Sequence, residues 1–255
     1  MKKPIVVFGI GELGSVFARA FLKNNYPVYP ITRKTNVSEL ASQIDPELIL
    51  VCTAEGDLQS ALATIPEQWK DRVAMMQNEL LPRDWKKYNF NNPTVISVWF
   101  EKKQGMDSKV LISSPAHGPK AQILTESLAL IDIPAHTVAN EDELLFELVL
   151  KNLYILTTNI AGLAIEPGSN VDDLRNNHID LMRKVSADVL KLQESLTGKI
   201  FSESALEKGM IKAFEGDLEH GCMGRSASAR LNRALELANE YNLETPTLKQ
   251  INAEA

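Results

Sequence analysis

The sequence predicts an α/β fold in which an N-terminal, doubly wound sheet is followed by a C-terminal all-helical domain. Over the first 140 of the 255 residues, short apolar segments rich in valine and isoleucine alternate with amphipathic helices. A G-x-G-x-x-G motif joins the first apolar segment to the first helix. Beyond residue 140, strand-like segments are nearly absent and helical periodicity dominates.

The N-terminal elements alternate in the order that a parallel sheet requires. Residues 4–10 form a compact apolar run typical of a buried parallel strand, and residues 12–23 carry apolar side chains three and four positions apart. The remaining strands are predicted at residues 28–32, 47–52, 73–77, 94–100 and 109–113. The remaining helices are predicted at residues 58–65 and 121–130. Such alternation favours a doubly wound sheet.

The C-terminal half is predicted to be helical throughout. The first stretch is the longest, and its middle is almost wholly apolar. Glycines at positions 198 and 221 punctuate the later helices. The four predicted helical stretches are residues 141–165, 171–196, 202–219 and 226–242. We therefore expect two domains, residues 1–140 and residues 141–255.

Composition and charge exclude several classes of function. The formal net charge of −6 argues against a generally basic surface that binds nucleic acid. We expect no membrane span, because no stretch approaches about 20 consecutive apolar residues. Cys52 and Cys222 lack the spacing of metal ligands and are expected to be reduced packing residues, so no metal site and a cytoplasmic location are predicted.

The glycine motif predicts a dinucleotide-binding loop. Gly9 permits a tight turn, Gly11 lets the backbone approach a pyrophosphate, and Gly14 lets the helix pack on the strand. The N-terminus of the following helix supplies free N–H donors and a positive dipole end. A plain strand-to-helix turn is the alternative interpretation. The further residues predicted to contact the dinucleotide are Glu12, Leu13 and Thr53.

The end of the second predicted strand indicates which dinucleotide is bound. Enzymes that use NAD usually carry an acidic residue there, which binds the ribose hydroxyls. Here Arg33 occupies that place, 19 residues after Gly14, and Lys34 follows it. A guanidinium can bind a 2′-phosphate through two hydrogen bonds. We therefore predict that the cofactor is NADP(H), with a solvated basic loop as the alternative.

A lysine in the apolar helix is the main candidate for chemistry. Lys151 is surrounded at helical spacing by leucine, tyrosine and isoleucine, and a buried lysine needs a partner or a function. Asn159 lies two turns further along the same helix. Such a lysine could donate a hydrogen bond or a proton to a carbonyl oxygen. A lysine extending to solvent from a boundary position is an equally good interpretation.

These residues resemble the ketopantoate reductases and their relatives, which reduce 2-keto acids with NADP. The resemblance includes the glycine motif with a basic residue after the second strand, residues 47–58, Asn78 after a later strand, and the lysine-bearing helix. It also includes residues 231–246, which are similar to the last long helix of that family and its turn into a proline. The resemblance implies a Rossmann-type domain, a helical domain and an active site in the cleft.

The resemblance also implies roles for three residues. Lys151 matches the catalytic lysine of the family. Asn78 matches an asparagine near the nicotinamide and substrate, and Asn159 matches the second of two helix asparagines; both are expected to be catalytic residues that orient the reacting groups. Four positions depart from the family pattern. The first helix asparagine of the family falls on Ile155, and a lysine of the family falls on Ala54. A serine that contacts substrate falls near Ala213, and a functional glutamate falls within residues 224–228, which contain no acidic residue.

These departures remove much of the site for ketopantoate and leave the cofactor site. The run from residue 219 to residue 226 is therefore the candidate for a different specificity. His220 could act as an acid or base and Arg225 could bind a carboxylate; Ser226 completes the predicted substrate set. Each of them is also compatible with an exposed loop. His117 is predicted to serve a structural turn.

The leading hypothesis is thus an NADP-dependent reductase of a small carbonyl compound, similar to a 2-keto acid and different from ketopantoate. The four departures favour an alternative, a non-catalytic NADP(H)-binding sensor or regulatory protein. A dehydrogenase of the 6-phosphogluconate type shares the fold, but the helical domain is short for it. The helical domain is expected to support substrate binding and a possible homodimer.

Overall fold

A seven-stranded sheet organises the first half of the chain in the computed structural model, which describes residues 2–90 and 92–254. Its strands are β1 (Ile5–Phe8), β2 (Val28–Ile31), β3 (Leu48–Val51), β4 (Val73–Met75), β5 (Thr94–Ile96), β8 (Ser114–His117) and β9 (Ala135–Thr137). The order across the sheet is β2-β1-β3-β4-β5-β8-β9. Neighbouring strands are parallel except β5 and β8, which are antiparallel. The predicted α/β fold class is confirmed.

The sheet is buried on both faces, as a parallel sheet requires. Leu48 and Leu50 of β3 belong to one core cluster, and the alternate residues Ile49 and Val51 are fully buried as well. The helices of this half are α1 (Glu12–Lys23), α2 (Val37–Gln43), α3 (Leu58–Ala63), α4 (Arg83–Lys86) and α5 (Ala121–Ala129). Because α1 and α5 pack against each other over the same cluster, their apolar faces anchor one side of the sheet.

Three sequence predictions in this half are corrected. The predicted strand 94–100 is broken: β5 ends at Ile96, and β6 (Phe100–Glu101) pairs with β7 (Lys109–Val110) in a separate two-stranded sheet. The predicted strand 109–113 is therefore that hairpin arm and not a member of the main sheet. His117 was assigned to a turn, but it ends β8, and the turn follows at Gly118 with φ +113°.

The chain divides into two units, Met1–Glu147 and Leu148–Ala255, and the division falls within helix α6 (Glu141–Ala161). The second unit is helical. Its other helices are α7 (Val171–Asn177), α8 (Ile179–Thr197), α9 (Glu203–Gly216), α10 (Ala227–Glu240) and α11 (Pro246–Glu254). The single helix predicted over 171–196 is wrong, because the backbone leaves helical geometry at His178, with φ −128° and ψ 30°.

The apolar middle of α6 corrects the expectation about membrane spans. Glu141–Ala164 has the length and the mean hydropathy of a membrane-spanning helix, contrary to the expectation that no segment approaches one. However, 78% of its most apolar window is buried inside the protein. The composition of this helix therefore matches that of a core helix, whose apolar surface is covered by protein.

A buried carboxylate fixes the C-terminal helix of the second unit. The Oδ2 atom of Asp188, on α8, accepts hydrogen bonds from the backbone N–H groups of Thr247 (2.8 Å) and Leu248 (3.4 Å). Only 3% of the Asp188 side chain is exposed. These N–H groups belong to the first turn of α11, which has no helical partners for them. Asp188 thus caps α11 and ties it to α8.

Candidate functional site

The predicted cofactor residues lie at one edge of the sheet. Because β1 to β4 are parallel, their carboxyl ends meet at the same edge. The glycine loop follows β1, Arg33 follows β2, Thr53 follows β3 and Asn78 follows β4. The chain runs from β1 to β2 on one side and then to β3 on the other, so the strand order reverses around β1. Ligands of open α/β sheets bind at such a reversal.

The glycine loop is closely packed at two of its three glycines. Gly9 has a φ of +99°, and a Cβ atom there would lie 3.1 Å from the carbonyl carbon of Cys52. A Cβ atom at Gly14 would lie 2.0 Å from the carbonyl oxygen of Gly9, a distance that no side chain tolerates. At Gly11, in contrast, a Cβ atom would meet no atom of the described residues within 4 Å. The loop therefore leaves open space at the position where the sequence predicts the pyrophosphate.

The first turn of α1 adjoins this open space. Gly11 is the N-cap residue and provides no side-chain cap, so the first N–H groups of the helix keep their capacity to bind an anion. Leu13 is half-buried. Glu12 is exposed, and its Oε2 atom lies 3.6 Å from Nζ of Lys102. Since a carboxylate repels phosphate, Glu12 would serve a dinucleotide through its backbone.

Arg33 and Lys34 are held on a structured turn with their side chains in solvent. The backbone N–H groups of Thr32 and Lys34 donate to the hydroxyls of Thr35 (3.0 Å) and Thr32 (3.3 Å), which fixes the turn. The Arg33 side chain is 95% exposed, and its Nη2 atom lies 3.7 Å from Asp57 Oδ2. Exposed ion pairs at such a distance contribute little. The guanidinium is thus accessible to a phosphate.

The hydroxyl of Thr53 and the carboxamide of Gln77 lie at the same edge of the sheet, between the ends of β3 and β4. The hydroxyl of Thr53 is buried and has no hydrogen-bond partner among the described residues. Gln77, which the sequence interpretation missed, donates from Nε2 to the carbonyl oxygens of Val51 (2.8 Å) and Thr53 (3.3 Å). Its Oε1 atom accepts the N–H of Met76 at 3.1 Å. Gln77 thus joins the ends of β3 and β4.

Asn78 follows directly on this buried glutamine. It is half-buried, and within residues 2–90 and 92–254 its side chain forms no hydrogen bond. The next residue, Glu79, has a φ of +60°, in a region that non-glycine residues seldom adopt. The backbone turns sharply there. Asn78 therefore presents an amide with free hydrogen-bonding capacity at the same edge as the glycine loop.

In the second unit, one tyrosine contacts two of the predicted site residues. Lys151 is half-buried, and its Nζ atom lies 5.5 Å from the centroid of the Tyr154 ring. The ring of His220 lies 6.2 Å from the same ring, centroid to centroid. His220 Nδ1 is 3.8 Å from Oδ2 of Asp217. The sequence interpretation treated Tyr154 only as an apolar neighbour of Lys151. Its side chain is 2% exposed.

Asn159 is engaged with a residue that the sequence interpretation overlooked. Its Oδ1 atom accepts hydrogen bonds from Nη1 of Arg230 and from the N–H of Gly224, both at 3.2 Å. Arg230 is only 9% exposed, which is unusual for arginine. It stands between Ala227 and Ala234 on the apolar face of α10, and that spacing could have identified it as buried.

The remaining predicted substrate residues lie on the surface of the second unit. Arg225 and Ser226 are exposed, immediately before α10. Cys222, three residues earlier than Arg225, is 1% exposed, and burial raises the pKa of its thiol to about 12, with Asp173 adding a smaller increase. Burial also raises the pKa of the Cys52 thiol. Both cysteines are free, in agreement with the prediction.

Comparison with known proteins finds similarity to solved structures and none to curated protein sequences. No family model matches the chain, and no curated protein sequence is significantly similar to it. Solved structures match over almost its whole length. A 2-dehydropantoate 2-reductase from Geobacter metallireducens gives a TM-score of 0.70 at 11% identity, covering 98% of both chains. A dimeric ketopantoate reductase from Staphylococcus aureus gives 0.64 at 14% identity, covering 98% of this chain and 96% of the other.

The chain has the fold of ketopantoate reductases. A D-mandelate dehydrogenase in complex with NADH shares it as well, with a TM-score of 0.65 at 15% identity over 99% of this chain and 97% of the other. The resemblance seen in the sequence is therefore confirmed at the level of the fold: a Rossmann-type sheet followed by helices. Identities of 11–15% leave the roles of individual residues as predictions.

Proposed function

We propose that this protein is an NADP-dependent reductase of a small carbonyl compound of the 2-keto acid class. The observation that carries the proposal is the edge of the sheet at β1, where open space at Gly11, the uncapped N-terminus of α1 and the exposed guanidinium of Arg33 occur together. These groups suit the pyrophosphate and the 2′-phosphate of NADP. The buried hydroxyl of Thr53, without a partner among the described residues, suits a further polar contact.

The bound dinucleotide would supply the hydride, and the protein would supply a proton and the orientation. The Lys151 ammonium would give a proton to the carbonyl oxygen as the carbonyl carbon accepts the hydride, and solvent would return a proton to the lysine. The product is the corresponding alcohol. The Nζ atom of Lys151 lies 5.5 Å from the centroid of the Tyr154 ring, whose face attracts a cation. Asn78 would orient the reacting groups through its amide, whose hydrogen-bonding capacity is free among the described residues.

The two parts of the chain would divide these tasks. Residues 1–140 would bind NADP(H), and residues 141–255 would bind the substrate through His220, Arg225 and Ser226. A reductase of this kind, with two free cysteines, suits a reducing cytoplasm. We also propose a homodimer, supported by the structural similarity to the dimeric ketopantoate reductase from Staphylococcus aureus. Light scattering at several protein concentrations measures that state.

The test is NADPH oxidation, followed at 340 nm, with a panel of 2-keto acids, aldehydes and imines. We expect turnover with at least one 2-keto acid, and a loss of about a hundredfold or more in kcat for Lys151→Met. The matched control is Lys184→Met, which removes an exposed lysine of α8 and should leave kcat unchanged. Near-normal turnover by Lys151→Met would refute the mechanism. NADPH binding without oxidation across the panel would support the non-catalytic sensor instead.

A further inference from the structure

The segment Cys222–Ser226 of the second unit, hereafter the 222–226 segment, is anchored at its start by backbone contacts. The N–H of Cys222 donates to the carbonyl oxygen of Ser169 at 2.9 Å, and the N–H of Val171 donates to that of His220 at 2.9 Å. The 3-10 turn after α6 approaches the segment closely. A Cβ atom at Gly162 would lie 2.9 Å from the carbonyl carbon of Cys222.

The middle of the segment is held by Asn159. The two hydrogen bonds that its Oδ1 atom accepts, from Gly224 N–H and Arg230 Nη1, fill the two lone pairs of that oxygen. Its Nδ2 atom donates to the carbonyl oxygen of Ile155 at 2.9 Å and lies 3.5 Å from the hydroxyl of Thr158. Both polar atoms of the carboxamide are therefore occupied within the second unit.

We propose that Asn159 and Arg230 are positioning residues that hold the 222–226 segment in one conformation and thereby set the specificity of the substrate site. This inference deepens the proposed function and rests on it for the statement about substrate. Asn159 acts through the segment and does not itself touch the substrate, unlike the role that the family resemblance implies. The groups presented to the substrate are those exposed on the segment, Arg225 and Ser226.

The energetic reason is the cost of unpaired buried groups. Asn159 is 8% exposed and Arg230 is 9% exposed. Removing the acceptor would leave the N–H of Gly224 without that partner, and this N–H regains one when the segment moves into water. The segment would then open locally while the helices stay folded, because local opening needs less free energy than global unfolding.

Cys222 reports this opening directly. Its thiol is buried against Gly162 and carries a raised pKa, so the folded segment protects it from alkylation. The experiment measures the rate of alkylation of Cys222 by iodoacetamide, located by mass spectrometry, in the full-length protein. Trypsin cleavage after the exposed Arg225 is the second readout. Cys52, in the first unit, is the internal reference.

We expect Asn159→Leu to raise both rates roughly tenfold. Asn159→Asp keeps the acceptor oxygen but loses the Nδ2 donor to the carbonyl of Ile155, so both rates should rise less than in Asn159→Leu. Arg230→Lys, which removes the planar guanidinium, should give an intermediate increase. The matched control is Asn152→Leu: Asn152 is a buried carboxamide on the same helix, but it bonds to Gln193 at 3.0 Å.

Two results would overturn the positioning role. One is unchanged alkylation and cleavage in both Asn159→Leu and Arg230→Lys. The other is an equal increase in Asn152→Leu, which would mean that general destabilisation opens the segment. Neither readout needs turnover, so a failure of the proposed reductase activity is separable from a failure of this inference. With a 2-keto acid that the wild type reduces, Asn159→Leu should raise KM and leave NADPH affinity within about twofold; an unchanged KM would refute the effect on specificity.

Discussion

The Nε2 atom of Gln77 lies 2.8 Å from the carbonyl oxygen of Val51, so one buried side chain joins the carboxyl ends of β3 and β4. The same amide reaches the carbonyl of Thr53. Gln77 precedes Asn78 directly and bonds to the backbone of Thr53, so it supports one predicted cofactor residue, Thr53, and one residue predicted to orient the reacting groups, Asn78.

Replacing Gln77 by leucine is expected to lower the free energy of unfolding by about 1–3 kcal/mol, because buried backbone groups lose their partners. NADPH affinity should fall as well, since Thr53 and Asn78 lose their fixed position. Urea denaturation and fluorescence titration measure the two effects. The control is Gln122→Leu, which removes an exposed glutamine of α5 and should change neither quantity.

The glycine loop offers two alanine substitutions with opposite expected effects. Gly14→Ala should destabilise the fold by about 3 kcal/mol or more, because its Cβ atom would collide with the carbonyl oxygen of Gly9. Gly11→Ala should leave the melting temperature nearly unchanged and weaken NADPH binding roughly tenfold, since its Cβ atom enters space open to the ligand. Thermal melts with and without NADPH measure both. Normal NADPH affinity in Gly11→Ala would place the pyrophosphate elsewhere.

Arg33→Ala is expected to reduce affinity for NADPH about tenfold to a hundredfold and to leave affinity for NADH unchanged. The reason is the loss of charged hydrogen bonds to the 2′-phosphate, worth about 1.5–3 kcal/mol. Arg19→Ala, an exposed arginine on α1, serves as the control for the lost charge. The preference for NADP would be contradicted if the ratio of the two affinities in Arg33→Ala equalled that of the wild type.

Asp188→Ala should lower the free energy of unfolding by about 1–3 kcal/mol, because two N–H groups at the start of α11 lose their acceptor. Asp188→Asn keeps a carbonyl oxygen and should have a smaller effect. Asp180→Ala, at an exposed position in the first turn of the same helix, should stay within about 0.5 kcal/mol of the wild type. Chemical denaturation and hydrogen exchange of the α11 amides measure these differences. Equal effects of Asp188→Ala and Asp180→Ala would mean that Asp188 does not cap α11.

Sequence patterns predicted the elements whose signals are local. Helix α1 runs from Glu12 to Lys23 as expected, because a glycine loop marks its start and its apolar face is regular. Strand β8 was missed because Ser114–His117 contains none of the β-branched or large aromatic residues that favour strands, and it depends on pairing with β5 and β9. The break at His178 was missed because neither glycine nor proline marks it.

In the candidate site, too, residues with a local sequence signal could be predicted and residues with distant partners could not. Gly9, Gly11, Gly14 and Arg33 could be assigned from spacing, because their roles follow from the chain next to them. Gln77 and Arg230 could not be assigned in the same way. Their partners lie 26 residues away at Val51 and 71 residues away at Asn159, and only folding brings those atoms within hydrogen-bond distance.

The 222–226 segment has a consequence for how this protein could acquire new substrates. Its inward-facing groups, Cys222 and the N–H of Gly224, are committed to the helices beneath them. Its outward-facing side chains, at Met223, Arg225 and Ser226, are exposed to solvent. Mutations at these three outward positions can therefore accumulate without loss of the fold, which makes the segment a natural target for a saturation library selected on altered substrate preference.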